Sequence, residues 1–114
     1  MNYARLSDNY SVAPQIQPDD VEFFAREGFT ALICNRPDGE DVGQPTSAAI
    51  RVACEQHGVG FHMLPMQGRM VPPETVRQFL TVMNDASGPV LGYCRSGTRS
   101  AILWQIASQA ASLP

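Results

Sequence analysis

Residues 90–100 read Val-Leu-Gly-Tyr-Cys-Arg-Ser-Gly-Thr-Arg-Ser: an apolar strand, a cysteine, a glycine-bearing loop and an arginine, with a helix-forming run over residues 101–111 behind them. A cysteine between a strand end and a helix start lies among backbone N–H groups that have no intrahelical partner, near the positive end of the helix dipole. Both stabilise a thiolate. Arg95 and Arg99 add two fixed positive charges within the same loop. Together they should lower the Cys94 pKa below the free value of roughly 8.5 and make the loop an anion trap. Cys94 is the expected nucleophile, with Arg99 holding an anionic substrate and ordering the loop. Arg95, Ser96, Gly97 and Thr98 line that loop, and Ser100 either donates its hydroxyl to the sulfur or caps the helix.

The spacing narrows the chemistry. Four residues separate Cys94 from Arg99. Cysteine phosphatases of the protein-tyrosine class place five there, and rhodaneses four, so the segment resembles the rhodanese active loop, Cys-Arg-x-Gly-x-Arg. That resemblance implies a cysteine that accepts a sulfur atom and backbone amides that surround the persulfide. Phosphatase chemistry needs an acid for the leaving alkoxide or phenoxide, worth on the order of 10² to 10⁴ in rate. In dual-specificity phosphatases the acid sits on the loop before the helix that precedes the cysteine strand. The matching stretch, Pro65 to Pro72, holds no Asp or Glu. Asp38, Glu40 and Asp41 on an earlier loop could replace it only by folding over the site. Tyr93 also stands where the phosphatase pattern has histidine.

The elements that must position Cys94 follow from periodicity. A short hairpin is expected from Tyr3–Leu6 and Tyr10–Ala13 around Ser7-Asp8-Asn9. Pro18-Asp19-Asp20 opens a helix, Phe29 to Cys34 reads as a buried strand, and Ser47 to His57 as a helix ended by Gly58. Val59 to Leu64 is the next strand, and Pro73-Glu74 opens a helix with a Val76, Phe79, Leu80, Met83 stripe. The strand Pro89 to Tyr93 then delivers Cys94. Alternating strands and helices argue a single α/β domain over residues 1–114, a mostly parallel sheet flanked by helices. The loops starting at Asn35, Pro65 and Cys94 should then meet at one sheet edge, where open α/β sheets bind ligands. Arg36 and Arg69, on the two neighbouring loops, become candidates for binding substrate carboxylates.

Composition excludes several alternatives. The chain has 114 residues, 44% of them hydrophobic and 17% charged, which fits one globular domain. A net charge of −3 argues against nucleic acid or an acidic membrane as partner. All eight basic residues are arginine, which removes Schiff-base lysines and the lysine of a phosphate-binding P-loop; the Gly92-x-x-x-x-Gly97 spacing is accidental. No apolar run reaches signal-peptide or membrane-span length, so a cytoplasmic protein is expected. Three cysteines without an export signal fit a reducing compartment. Cys54 falls on an apolar helix face. Cys34 ends a strand beside Cys94, where core packing competes with a resolving-thiol role. His57, His62 and Glu55 make no compact ligand set, so neither metal nor cofactor is expected.

Across nearly its whole length the sequence resembles the phosphatase-like domain of beta-lactamase-hydrolase-like proteins. The residues that carry this are Leu6-Ser7-Asp8, Val12-Ala13-Pro14-Gln15, Asn35-Arg36-Pro37-Asp38-Gly39-Glu40 and Tyr93 through Ser100. The resemblance implies a protein-tyrosine-phosphatase-like fold. Some members look like sulfurtransferases fused to persulfide dioxygenase or sulfide:quinone oxidoreductase modules. The expectation is therefore a rhodanese-type sulfurtransferase moving sulfur from thiosulfate or a persulfide to glutathione or another thiol through a Cys94 persulfide, with a sulfide-oxidising module as possible partner. The alternatives are a cysteine-dependent phosphatase using Cys94 and one acid of the Asp38, Glu40, Asp41 trio, or an anion-binding or persulfide-sensing module without turnover.

Overall fold

The computed structural model describes residues 1–112. Five strands and four helices follow the order β1 (Ala4–Arg5), β2 (Tyr10–Ala13), α1 (Asp20–Arg26), β3 (Ala31–Cys34), α2 (Ser47–Gln56), β4 (Gly60–Met63), α3 (Pro73–Asp85), β5 (Val90–Tyr93) and α4 (Thr98–Ser112). The strands form one sheet in the order β1-β2-β5-β3-β4. Only the β1–β2 pair is antiparallel; β2 and β3 both run parallel to β5. The α/β class and the mostly parallel sheet expected from the sequence are both present.

Side-chain alternation divides the core into two layers. On one face Leu32 and Cys34 of β3 and Leu91 and Tyr93 of β5 pack with Val21, Phe24, Ile50 and Cys54 of α1 and α2. On the other, Ala31, Ile33, Tyr10, Val12 and Val90 pack with Phe79, Val82, Leu103 and Ala107 of α3 and α4. Fully burying each large apolar side chain is worth about 1.5–3 kcal/mol against exposure. The sheet is thereby a stiff platform whose carboxyl edge is fixed from both sides.

Helix boundaries have local causes. Thr46 caps α2, its hydroxyl oxygen accepting the Ala49 N–H at 3.1 Å, and Gly58 at φ +70° lets the chain leave the helix. Pro72 and Pro73 start α3, where a missing N–H costs nothing. Helix α4 begins at Thr98, three residues ahead of the expected run, because the loop after Cys94 turns directly into it. Gly97 at φ +95° makes that turn. Gly92 in β5 has another reason to lack a side chain: a methyl there would collide with the Tyr10 hydroxyl and press on Ser100. Among the described residues no helix is long and apolar enough to cross a membrane.

Candidate active site

The strands β2, β3, β4 and β5 all end on one edge, and the loops beyond them interlock. The Cys94 N–H donates to Ala13 O at 3.4 Å and the Asn35 N–H to Tyr93 O at 2.8 Å, while Met66 N–H donates to Asn35 O at 2.9 Å. The Gln15 N–H donates to Arg95 O at 3.2 Å, so the segment after β2 joins the three loops expected to meet. Asn35, fully buried, is the hub: its Nδ2 donates to Leu64 O at 2.8 Å and its Oδ1 accepts the Ser100 hydroxyl at 2.8 Å. That bond directs the Ser100 hydroxyl proton to Asn35 rather than to the sulfur.

Cys94 lies at the floor of the loop, buried beneath it. The Gly97 N–H donates to its Sγ at 3.1 Å, and the amides of Ser100, Ser96 and Arg99 also turn toward it. Burial by itself pushes the Cys94 thiol up, but the four amides outweigh it and the group titrates below its ordinary value. Ser96 and Thr98 brace the loop crest through their hydroxyls, 3.0 Å apart.

Arg99 reaches over the loop within electrostatic range of the sulfur. It is held from outside: Nη1 and Nη2 donate to the two Glu40 carboxylate oxygens at 2.7 and 2.8 Å, and Nη1 also donates to Met66 O at 2.8 Å. The acidic loop does fold over the site, but its glutamate clamps the arginine. Arg99 and Arg36 hold the Glu40 carboxyl down, at about 2, against the opposing effect of burial.

Arg36 is buried and fully engaged. Nε donates to Glu40 at 2.9 Å, Nη2 to Asp41 at 2.7 Å and Nη1 to Gln15 Oε1 at 3.0 Å. It supports the clamp from beneath and presents no edge to a substrate carboxylate, contrary to the sequence expectation. Arg69 is exposed and makes no ion pair among the described residues. Arg95 is exposed on the rim, 3.3 Å from Asp41. Asp38 serves α2: its two oxygens accept the Ser47 N–H and hydroxyl, both at 2.7 Å. Cys34 is a core thiol. Its S–H donates to Arg36 O at 3.2 Å, and burial pushes its pKa up, which keeps it protonated and poorly suited to resolve an oxidised Cys94. Cys54 is buried, its pKa raised to about 11 by the same cause.

Sequence reasoning singled out the loop and missed Asn35, Gln15 and the clamping role of Glu40. The one available signal was their position at strand ends, which marks a residue as near the edge without saying what it touches.

A parallel sheet with a cysteine cradle at its carboxyl edge and an arginine arching over it defines a phosphatase-like α/β domain. Residues 2–112 match the family described as beta-lactamase hydrolase-like protein, phosphatase-like domain, and the chain belongs to that family. It is 31% identical over 104 residues to the beta-lactamase hydrolase-like protein of Agrobacterium fabrum, covering 91% of this chain and 24% of that one. The chain thus spans about a quarter of the length of the curated relatives it matches. Among solved structures, a candidate phosphatase of Neisseria meningitidis superposes with a TM-score of 0.85 at 38% identity, over 97% of this chain and 79% of that one. A candidate phosphatase of Shewanella putrefaciens gives 0.80 at 14% identity, over 98% and 71%, a likeness of fold alone.

These findings overturn the sulfurtransferase expectation. Family and structural relatives alike are phosphatase-like. The physical error lay in reading loop length as cradle size. What holds a phosphoryl group is the number of donors facing the sulfur, and the short loop still supplies four amides and a guanidinium.

Proposed function

We propose that this domain is a cysteine-dependent phosphatase. The observation that carries the reading is the convergence of the Ser96, Gly97, Arg99 and Ser100 amides on a Cys94 sulfur whose pKa is lowered. In this mechanism the Cys94 thiolate attacks phosphorus, the bond to the leaving group breaks, and a phosphocysteine forms. The amides and Arg99 bind the phosphoryl oxygens, whose charge is spread in the transition state. Water then attacks phosphorus, releasing phosphate and restoring the thiolate. Three unpaired cysteines support a reducing, cytoplasmic setting for this chemistry.

The test is phosphate release from a nitrophenyl phosphate by the native protein and by Cys94→Ser, with acid-quenched mass spectrometry for a phosphorylated Cys94. Release that depends on Cys94 and a phosphocysteine are expected. Equal rates for both proteins would overturn the assignment.

A further inference from the structure

The carboxylates around Cys94 bear on which phosphates it can cleave. A departing alkoxide needs a proton, and an aligned carboxylic acid supplying it is worth about 10² to 10⁴ in rate. A departing carboxylate or phosphate is already a stable anion at neutral pH and needs none.

All eleven acidic residues of the chain lie within the described residues. Eight belong to the β1–β2 turn and to α1, α2, α3 and their caps, and Glu74, just after the Pro65–Pro72 loop in sequence, is paired with Arg77. The three that reach the site are committed elsewhere. Asp38 accepts two bonds from Ser47. Glu40 spends both oxygens on Arg99 and Arg36, and at about 2 its carboxyl carries no proton at neutral pH. Asp41 directs Oδ2 at Arg36, 2.7 Å away, and Arg95, 3.3 Å away. Both oxygens of Asp38 and of Glu40 thus act as acceptors toward a helix start or a cation, and Asp41 turns Oδ2 to two cations, which leaves no carboxylate of the three committed to a leaving group.

Resting on the phosphatase reading, we propose that the Cys94 site is specific for phosphoryl groups on leaving groups that depart unprotonated, namely acyl phosphates and phosphoric anhydrides. The thiolate electron pair forms the S–P bond while the P–O bond breaks, and its electron pair leaves with the carboxylate or phosphate. Water then cleaves the S–P bond, its proton remaining on the orthophosphate, and the thiolate returns. No acid and no co-reactant besides water enters.

The experiment compares acetyl phosphate, inorganic pyrophosphate, a series of aryl phosphates of graded phenol acidity, and serine phosphate. Cys94→Ser provides the uncatalysed rate, and Asp41→Asn is measured on the aryl series. The expected results are Cys94-dependent hydrolysis of acetyl phosphate or pyrophosphate, and aryl rates that fall steeply as the phenol becomes less acidic. Serine phosphate should be cleaved at least about a hundredfold more slowly, the factor an acid would recover. Asp41→Asn should keep the same steep dependence. Aryl rates independent of phenol acidity that become steep in Asp41→Asn would overturn the proposal by identifying Asp41 as the acid, and would leave the phosphatase reading standing. Absence of Cys94-dependent phosphate release from every substrate would overturn both.

Discussion

Glu40 meets Arg99 edge to edge, two carboxylate oxygens facing two guanidinium nitrogens at 2.7 and 2.8 Å, from a position 59 residues earlier in the chain. A fork–fork pair of this kind fixes orientation as well as distance. It engages both terminal nitrogens while the guanidinium stays within electrostatic range of Cys94. Arg36, buried below, holds Glu40 in turn. Arg99 is thus fixed by a carboxylate that is itself fixed.

Glu40→Gln should therefore impair catalysis through the placement of Arg99. The amide keeps the volume but offers one acceptor where the carboxylate offered two. We expect kcat/KM for an aryl phosphate to fall about tenfold to a hundredfold, the loss appearing in both kcat and KM because a misplaced donor fails ground and transition states together. A fall in KM accompanied by a rise in kcat would show instead that Glu40 obstructs the site.

The same carboxylate makes stability depend on acid. Its folded pKa, about 2, lies below the ordinary 4.5, so its contribution is fully present above about 4.5 and is lost as pH falls toward 2. Urea unfolding across this window should show native stability falling more steeply than that of Glu40→Gln. Parallel curves would place the acid sensitivity elsewhere.

Cys94 should ionise below an ordinary thiol. Ultraviolet absorbance of thiolate, titrated as the difference between the native protein and Cys94→Ser, should rise at a lower pH than for an ordinary free thiol. In urea, where the four amides disperse, the transition should return to the free value. A folded-state transition at or above that value would mean that burial wins over the amides.

The bond from Ser100 to Asn35 joins the start of α4 to the end of β3. Asn35→Ala strands the buried Ser100 hydroxyl and the Leu64 carbonyl and should cost about 1–3 kcal/mol. Ser100→Ala should cost less, since Asn35 keeps its bond to Leu64. Because the two share one bond, the double variant should be more stable than the sum of the single losses predicts, by about 0.5 kcal/mol or more in chemical denaturation. Strict additivity would show the bond to be energetically idle.

Much of this is legible in the sequence. The Cys94 loop announces itself because its parts are contiguous: strand, thiol, glycine, arginine and helix follow within eleven residues. The sheet class followed from alternation, and the meeting of three loops from parallel strands. The clamp was not legible, since nothing in Asn35-Arg36-Pro37-Asp38-Gly39-Glu40 says that Arg36 turns inward while Glu40 crosses to Arg99. Nor was the placing of β2. Its alternation suits a hairpin equally well at the edge or inside, and only its parallel register with β5, Tyr10 opposite Val90 through Ala13 opposite Tyr93, makes it an interior strand. Loop length misled about chemistry because it counts residues, whereas binding depends on donor directions.

The order of the sheet carries one more consequence. The middle strand, β5, is the last to be synthesised, and β2 and β3 each pair with it and not with one another. Without Val90 to Tyr93, the β1–β2 and β3–β4 pairs have no strand between them to join them. The stretch that zips the halves together is also the one that carries the thiol, so nucleophile and scaffold are completed in a single event. An unravelled molecule then bears only an ordinary thiol at Cys94, and the reactivity of Cys94 becomes a certificate that the chain has folded.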